Sequence, residues 1–170
     1  MVIFGIGTAR SVSASFSVPV IELGDHAPSL AKGYKLVPYD DLSANMSVEL
    51  NHTIIWCRDQ RRSSSFLAEI LGRPAPTQFG PFHVVELDNG ISLDFHETDG
   101  EISSQHYAFL ISETDFDSVF GRIRERTLDY WADPARRRPG EINRNDGGRG
   151  FYFTDPDGHF LEVITRPYGG

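Results

Sequence analysis

The sequence predicts an α+β fold made of two similar modules, and three regularities indicate this. From Met46 onward, a strand pattern, a helix pattern and further strand patterns occur twice in the same order. In each half an aromatic residue follows a histidine by 14 residues, and an acidic residue follows a glycine by four. The matched pairs are His52 and Phe66, His106 and Phe120, Gly90 and Asp94, and Gly158 and Glu162. Two copies are too few for a stacked array, so the modules should share one core.

In the first module, a β-branched and aromatic run at Leu50–Cys57 predicts the opening strand. Arg61–Leu71 carries apolar residues at helical spacing and is followed by a glycine, which favours a helix that ends there. Phe82–Leu87 and Ile91–His96 are separated by Asp-Asn-Gly, a sequence typical of a hairpin turn. Another short strand fits near Pro76–Phe79.

The second module repeats this order. His106–Ser112 predicts a strand, and Asp115–Arg126 predicts a helix with one apolar face. Leu128–Ala132 predicts a short strand. Gly150–Thr154 and His159–Thr165 flank Asp-Pro-Asp-Gly and predict the closing hairpin.

Residues 1–45 differ from the rest of the chain in composition and show no sustained periodicity. One interpretation is that the natural protein starts at Met46 and that the upstream stretch is an extension. The other is a genuine arm that packs on a neighbour. We expect 46–170 to fold without residues 1–45 if the first interpretation holds.

Composition excludes several classes of protein. The net charge of −8, without a basic stripe, disfavours nucleic acid and anionic membranes as partners. Cys57 is the single cysteine, which excludes an internal disulfide and a cysteine-rich zinc site. No apolar run approaches the roughly 20 residues that span a bilayer. We therefore expect a cytoplasmic protein.

Three residues form a candidate metal site. Strand alternation places Glu162 between two apolar residues on one face of its strand, where a lone carboxylate is costly to bury. His52 and His106 occupy matching positions in the two opening strands. Two imidazoles and one carboxylate can form a facial triad that leaves coordination positions open for substrate. We predict that the three converge, and a separation above about 8 Å would contradict a common first-shell site.

Three segments resemble the vicinal oxygen chelate superfamily, which includes glyoxalase I, fosfomycin-resistance transferases, bleomycin-binding proteins and extradiol dioxygenases. They are LNHTIIW, QHYAFLI and FYFTDPDGHFLEVIT, of which the last is the most diagnostic. The resemblance covers Glu49 to Arg166, with modules at about 49–98 and 104–166 of a domain that spans 46–170.

This resemblance implies that each module is βαβββ and that the strands curve into one open, metal-centred, barrel-like cleft. His52, His106 and Glu162 match the family's ligand positions. The resemblance implies one divalent metal ion, with iron, manganese, nickel and zinc left open, and a small-molecule substrate. We also expect a homodimer.

The family's fourth ligand position corresponds to Asp94, where glyoxalase I has a longer carboxylate. Asp94 is predicted to be a ligand, a general base or a hydrogen-bond partner near the metal, and the alternative is a solvated strand residue. Glu162 is predicted to be catalytic as well as a ligand. His96 lies two residues after Asp94 on the same face and is a candidate substrate contact.

An insertion at Asp133–Arg149 holds five arginines in this acidic protein. They are Arg136, Arg137, Arg138, Arg144 and Arg149. One interpretation is a solvated charge run, and the other is a rim that binds an anionic substrate, because guanidinium pairs well with carboxylate and phosphate. We predict that Arg144 or Arg149 points into the cleft.

Two classes of function remain open. The first is a metal-dependent enzyme of lyase, isomerase, transferase or dioxygenase type, in which the ion acts as a Lewis acid on vicinal substrate oxygens. The second is a protein that binds an antibiotic or metabolite without catalysis, as bleomycin-binding relatives do. Those relatives generally lack the three ligands, so the intact set favours the enzyme.

Overall fold

A computed structural model describes residues 48–168, and the predicted N-terminal extension lies outside them. The described chain is α+β, with eight strands, two α-helices and a short 3₁₀ turn at Asn145–Gly147. The first module comprises β1 (His52–Cys57), α1 (Gln60–Leu71), β2 (Thr77–Phe79), β3 (Phe82–Glu86) and β4 (Ser92–Glu97). The second comprises β5 (His106–Leu110), α2 (Glu113–Glu125), β6 (Tyr130–Trp131), β7 (Gly150–Thr154) and β8 (Phe160–Ile164). No described helix has the length and apolarity that a bilayer crossing requires.

The two modules have the same topology, which confirms the predicted fold class. Their sheets are ordered β1-β4-β3-β2 and β5-β8-β7-β6. In each sheet the opening strand pairs parallel with the last strand, and the other pairings are antiparallel. Within residues 48–168 the sheets remain separate and form no closed barrel.

Capping residues define the starts of both helices and the end of α1. The Asp59 side chain accepts a hydrogen bond from the Arg62 backbone N–H at 2.9 Å and caps α1. Gly72 ends α1 with φ of 70°, a left-handed conformation that glycine adopts without a Cβ clash. Ser112 caps α2, so this helix begins two residues earlier than the sequence predicts.

One apolar core joins the modules. It is formed by the helices and by the sheet faces that they cover, which we call the inner faces. In the first module the inner face of β1 is formed by Ile55 and Cys57, and in the second that of β8 is formed by Leu161 and Val163. Burial raises the pKa of the Cys57 thiol to about 12, so it stays protonated and packs as a small apolar group.

Strand alternation directs the remaining side chains to the opposite, outer faces of the two sheets. On β1 these are His52, Ile54 and Trp56, and Ile54 and Trp56 are exposed. On β5 the exposed Leu110 belongs to the same outer set as His106. No helix of the described chain covers either outer face, so both carry apolar surface open to a partner.

The closing hairpin of the second module forms hydrogen bonds with the first module. His159 is 1% exposed and lies on the same side of the chain as Leu161 and Val163 of the inner face. Its Nδ1 accepts a hydrogen bond from the Gln105 backbone N–H at 3.0 Å, and its Nε2 donates to the Trp56 carbonyl at 2.8 Å. Asp157 of the same hairpin accepts from the Ser63 hydroxyl and from the Arg58 backbone N–H. The hairpin therefore fixes β1 against the second module.

Candidate metal centre

His106 and Glu162 form the centre of the candidate site. They lie on β5 and β8, which pair in parallel with Ala108 opposite Glu162. His106 Nε2 is 3.2 Å from Glu162 Oε2. The Glu162 side chain is only 1% exposed, whereas that of His106 is 49% exposed. A buried carboxylate needs a compensating charge, and this pair leaves one side of the imidazole accessible.

Two tyrosines hold the other carboxylate oxygen. The Tyr168 hydroxyl donates to Glu162 Oε1, and the Tyr152 hydroxyl lies 2.9 Å from that of Tyr168. Burial, with hydrogen bonding to Glu162, raises the pKa of Tyr168 and of Tyr152 above the usual value, so both remain protonated at neutral pH. Oε1 thereby accepts from a tyrosine, whereas Oε2 faces the His106 imidazole. The sequence contained no signal for Tyr168, because this residue lies beyond the last strand.

His52 does not join this pair within one chain. It is exposed on the outer face of the other sheet, with its Nδ1 2.8 Å from Asn51 Oδ1. Among residues 48–168, no three His, Cys, Asp or Glu side chains converge as a metal site. The predicted convergence of the three side chains therefore does not occur among the described residues of one chain. The reason is that the modules share their inner faces, which leaves the two outer faces on separate surfaces.

Asp94 and His96 lie on the same outer face as His52. Asp94 is 8% exposed and accepts a hydrogen bond from the Ser92 hydroxyl at 2.9 Å, so the alternative of a solvated strand residue is wrong. The His96 ring lies 5.2 Å from that of Trp56 and 5.1 Å from that of Phe82. Its buried Nδ1 has no hydrogen-bond partner among residues 48–168. A buried polar atom of this kind needs a partner, which a water or a ligand can supply.

Arg149 pairs with residues of α2, which corrects its predicted role. Its guanidinium donates to Glu113 at 2.7 Å and to Asp117 at 2.6 Å, and lies 4.1 Å from the Phe116 ring centroid. All three partners belong to α2, on the inner side of the sheet. Hydrogen bonds to Asp117 and Glu113 raise the pKa of Arg149 further. Arg144 is exposed, and its substrate contact remains a prediction.

We expect Arg149→Ala to lower the melting temperature by a few degrees, because it removes two ion pairs and a ring contact between the inserted loop and α2. Metal and ligand affinities should stay at the parent values. Thermal unfolding and calorimetric titration measure the two effects, with the exposed Arg137→Ala as the matched control. An unchanged melting temperature together with weaker ligand binding would restore the original prediction for Arg149.

Arg136 is the loop arginine that reaches the outer face of the second sheet. Its guanidinium carbon lies 4.9 Å from the Trp131 ring centroid and 4.8 Å from that of Phe160. Phe160 and Glu162 share the outer face of β8, and Trp131 pairs with Tyr152 of β7 on that face. Sequence reasoning did not single out Arg136 because its position depends on the path of the loop.

Two grooves of the described chain are lined by residues other than the candidate ligands. One of about 630 Å³ runs between the hairpin at Leu87–Asn89 and α2, and another of about 460 Å³ lies beside Phe66 and Pro156. Neither is lined by His52, His106 or Glu162. The candidate metal centre thus lies outside both grooves, with the His106 side chain half exposed.

Comparison with known proteins places these observations in a family. A family model described as the Glyoxalase/Bleomycin resistance protein/Dioxygenase superfamily matches residues 49–163, which include both modules. Among solved structures, Oxidase ChaP-H1 is 63% identical with a TM-score of 0.72, and the match covers 73% of this chain and 100% of that one.

Curated relatives include two kinds of transferase. Glutathione transferase FosA of Serratia marcescens is 28% identical over 124 residues, which is 69% of this chain and 81% of the relative. Metallothiol transferase FosB of Shouchella clausii is 41% identical over 63 residues, covering 37% of this chain and 39% of the relative.

Proposed function

Because the chain belongs to the Glyoxalase/Bleomycin resistance protein/Dioxygenase superfamily, we propose that it is a divalent-metal-dependent oxidase. Its substrate is a small organic anion that chelates the metal through oxygen atoms. The pairing of buried Glu162 with His106 at 3.2 Å carries the proposal, since it presents two ligands that suit a divalent ion. The 63% identity to an oxidase favours oxidation over the other reactions of this family.

The residues present fit a metal ion. His106 Nε2 and Glu162 Oε2 would bind it, and the Tyr168 hydroxyl would hold the carboxylate in a one-oxygen binding mode. A bound divalent ion would act as a Lewis acid on the substrate oxygens and, if redox active, allow dioxygen to serve as the electron acceptor.

A second copy of the chain would supply the third ligand, His52. Each outer face is uncovered by the described helices, and Ile54, Trp56 and Leu110 expose apolar surface there. If the outer face of the first sheet of one copy packs on that of the second sheet of another, His52 meets His106 and Glu162. The same contact would cover the exposed side of the His106 imidazole.

Asp94 would arrive with the partner's His52, because β1 and β4 are paired neighbours in one sheet. Its Oδ1 accepts from Ser92, which leaves Oδ2 to take a proton from a substrate hydroxyl. His96 Nδ1 would bind a further polar group of the substrate. In this arrangement Asp94 would be the general base and His96 a substrate contact.

Dioxygen uptake tests the proposed oxidation. Protein loaded with Fe(II), Mn(II) or Ni(II) and mixed with 3,4-dihydroxybenzoate, an aromatic acid with two vicinal oxygens, should consume dioxygen. The Zn(II) form should bind the acid without uptake, because zinc has no redox chemistry. Calorimetry on the metal-free protein is the control. Binding that does not depend on metal would contradict the proposal.

Assays on the same metal-loaded protein distinguish two other functions from oxidation. The transferases among the relatives make thiol addition the second candidate, and consumption of glutathione in the presence of fosfomycin would indicate it. A metabolite- or antibiotic-binding protein would bind its ligand with neither dioxygen uptake nor thiol consumption.

A further inference from the structure

Arg136 lies on an aromatic surface beside the candidate metal centre. Its guanidinium carbon is within 5 Å of two ring centroids, those of Trp131 and Phe160. Such a cation–π arrangement orients a guanidinium and leaves its edge N–H groups available.

The aromatic surface continues to the candidate ligands. Phe160 stacks on Tyr152 at a centroid distance of 5.3 Å, with 13° between the ring planes. The His106 imidazole lies 6.0 Å from the Phe160 ring and 6.2 Å from the Tyr152 ring. One ring, Phe160, therefore neighbours both the guanidinium and the imidazole. A single small molecule can contact both groups at once.

The turn that carries Arg136 is held in place by its own hydrogen bonds. The Asp133 carboxylate accepts from the backbone N–H groups of Ala135, Arg137 and Arg138. The Arg136 backbone N–H bonds the Asp133 carbonyl at 3.1 Å. Arg136 itself has φ of 57°, which is uncommon for a residue with a Cβ. Strain of this kind persists where surrounding contacts fix it, often at ligand sites.

Arg136 is also a cation without an anionic partner. Its side chain makes no ion pair and no hydrogen bond with residues 48–168, whereas Arg149 pairs with Glu113 and Asp117, and Arg138 lies 3.8 Å from Asp133. In a chain with a net charge of −8, an unpaired guanidinium beside a predicted site favours an anionic ligand.

We propose that Arg136, supported by Trp131 and Phe160, binds the carboxylate of a substrate whose other oxygens chelate the metal. The planar guanidinium matches a carboxylate with two parallel hydrogen bonds, and the rings give a flat substrate a surface on which to stack. This inference rests on the proposed function and replaces Arg149 with Arg136 as the anion-binding residue of the loop.

The test compares two chelators that differ by one carboxylate. Calorimetry on the Zn(II)-loaded protein gives the dissociation constants of 3,4-dihydroxybenzoate and of catechol, which share their vicinal oxygens. The parent should prefer the acid, and Arg136→Gln should weaken its binding about tenfold while catechol binding stays unchanged. Arg137→Gln removes the same charge one residue away and should keep the preference. Melting temperature and zinc stoichiometry establish that each variant is folded and loaded.

Several results would overturn the inference while leaving the proposed function standing. They are an Arg136→Gln variant that keeps the parent's preference, an equal loss in Arg137→Gln, or a loss that appears in Arg144→Gln instead. If catechol and the acid both fail to bind the Zn(II)-loaded parent, the proposed function fails as well. The two failures are distinguishable because only the second abolishes catechol binding.

Discussion

Mixing two inactive variants should restore one metal site per dimer. His52→Ala and Glu162→Ala homodimers should each bind metal more than about 100-fold more weakly than the parent, since losing a residue that only orients a ligand already costs 10- to 100-fold. In the heterodimer, His52 of the Glu162→Ala chain would meet intact His106 and Glu162 of the other chain. Equilibrium dialysis on a doubly tagged heterodimer measures the stoichiometry.

A second mixture provides the matched control. His106→Ala and Glu162→Ala alter two residues that lie 3.2 Å apart in one chain, so neither site of that heterodimer is intact. Restoration with this pair, or its absence with the first, would show that the site is not assembled between copies. A monomeric parent in sedimentation would contradict the proposal directly.

Replacing His159 by Ala should destabilise the protein by about 2–4 kcal/mol, since it opens a cavity and removes two buried hydrogen bonds. The Gln105 N–H and the Trp56 carbonyl would be left without partners. Urea unfolding measures the loss of unfolding free energy.

His83→Ala is the matched control for this experiment. His83 is half-buried on β3, and its Nε2 has no hydrogen-bond partner among residues 48–168. We expect a smaller loss from this variant. If the two substitutions cost the same, the hairpin does not hold the modules together through His159.

Much of the fold was predictable because it depends on local periodicity. The strands and helices appear in the predicted order, and the short strand near residues 76–79 is present as β2. Boundaries moved by one or two residues where capping decides them, as at Ser112. Strand alternation placed Glu162 among apolar side chains and on the same face as Phe160, and the register of β8 agrees with this.

The candidate site was predictable only in part. Repetition singled out His106 and Glu162, and the structure brings them together. It does not bring His52 to them, because a sequence pattern places a residue on a face of its own strand and carries no information on which chain that face contacts. Tyr168 carries no signal in the sequence, and Arg136 is one of five loop arginines among which the sequence favours Arg144 and Arg149. Both residues are positioned by irregular segments, which have no period.

By itself, the sequence determined the two-module α+β fold and the residues that occupy the outer faces of the strands, since alternation and turn chemistry are properties of short segments. Only the tertiary structure decided which faces are buried together. Packing of the inner faces into one core separates His52 from Glu162, directs Arg149 to α2 and leaves Arg136 over Phe160. These outcomes depend on contacts between residues far apart in the chain, and short sequence patterns do not specify such contacts.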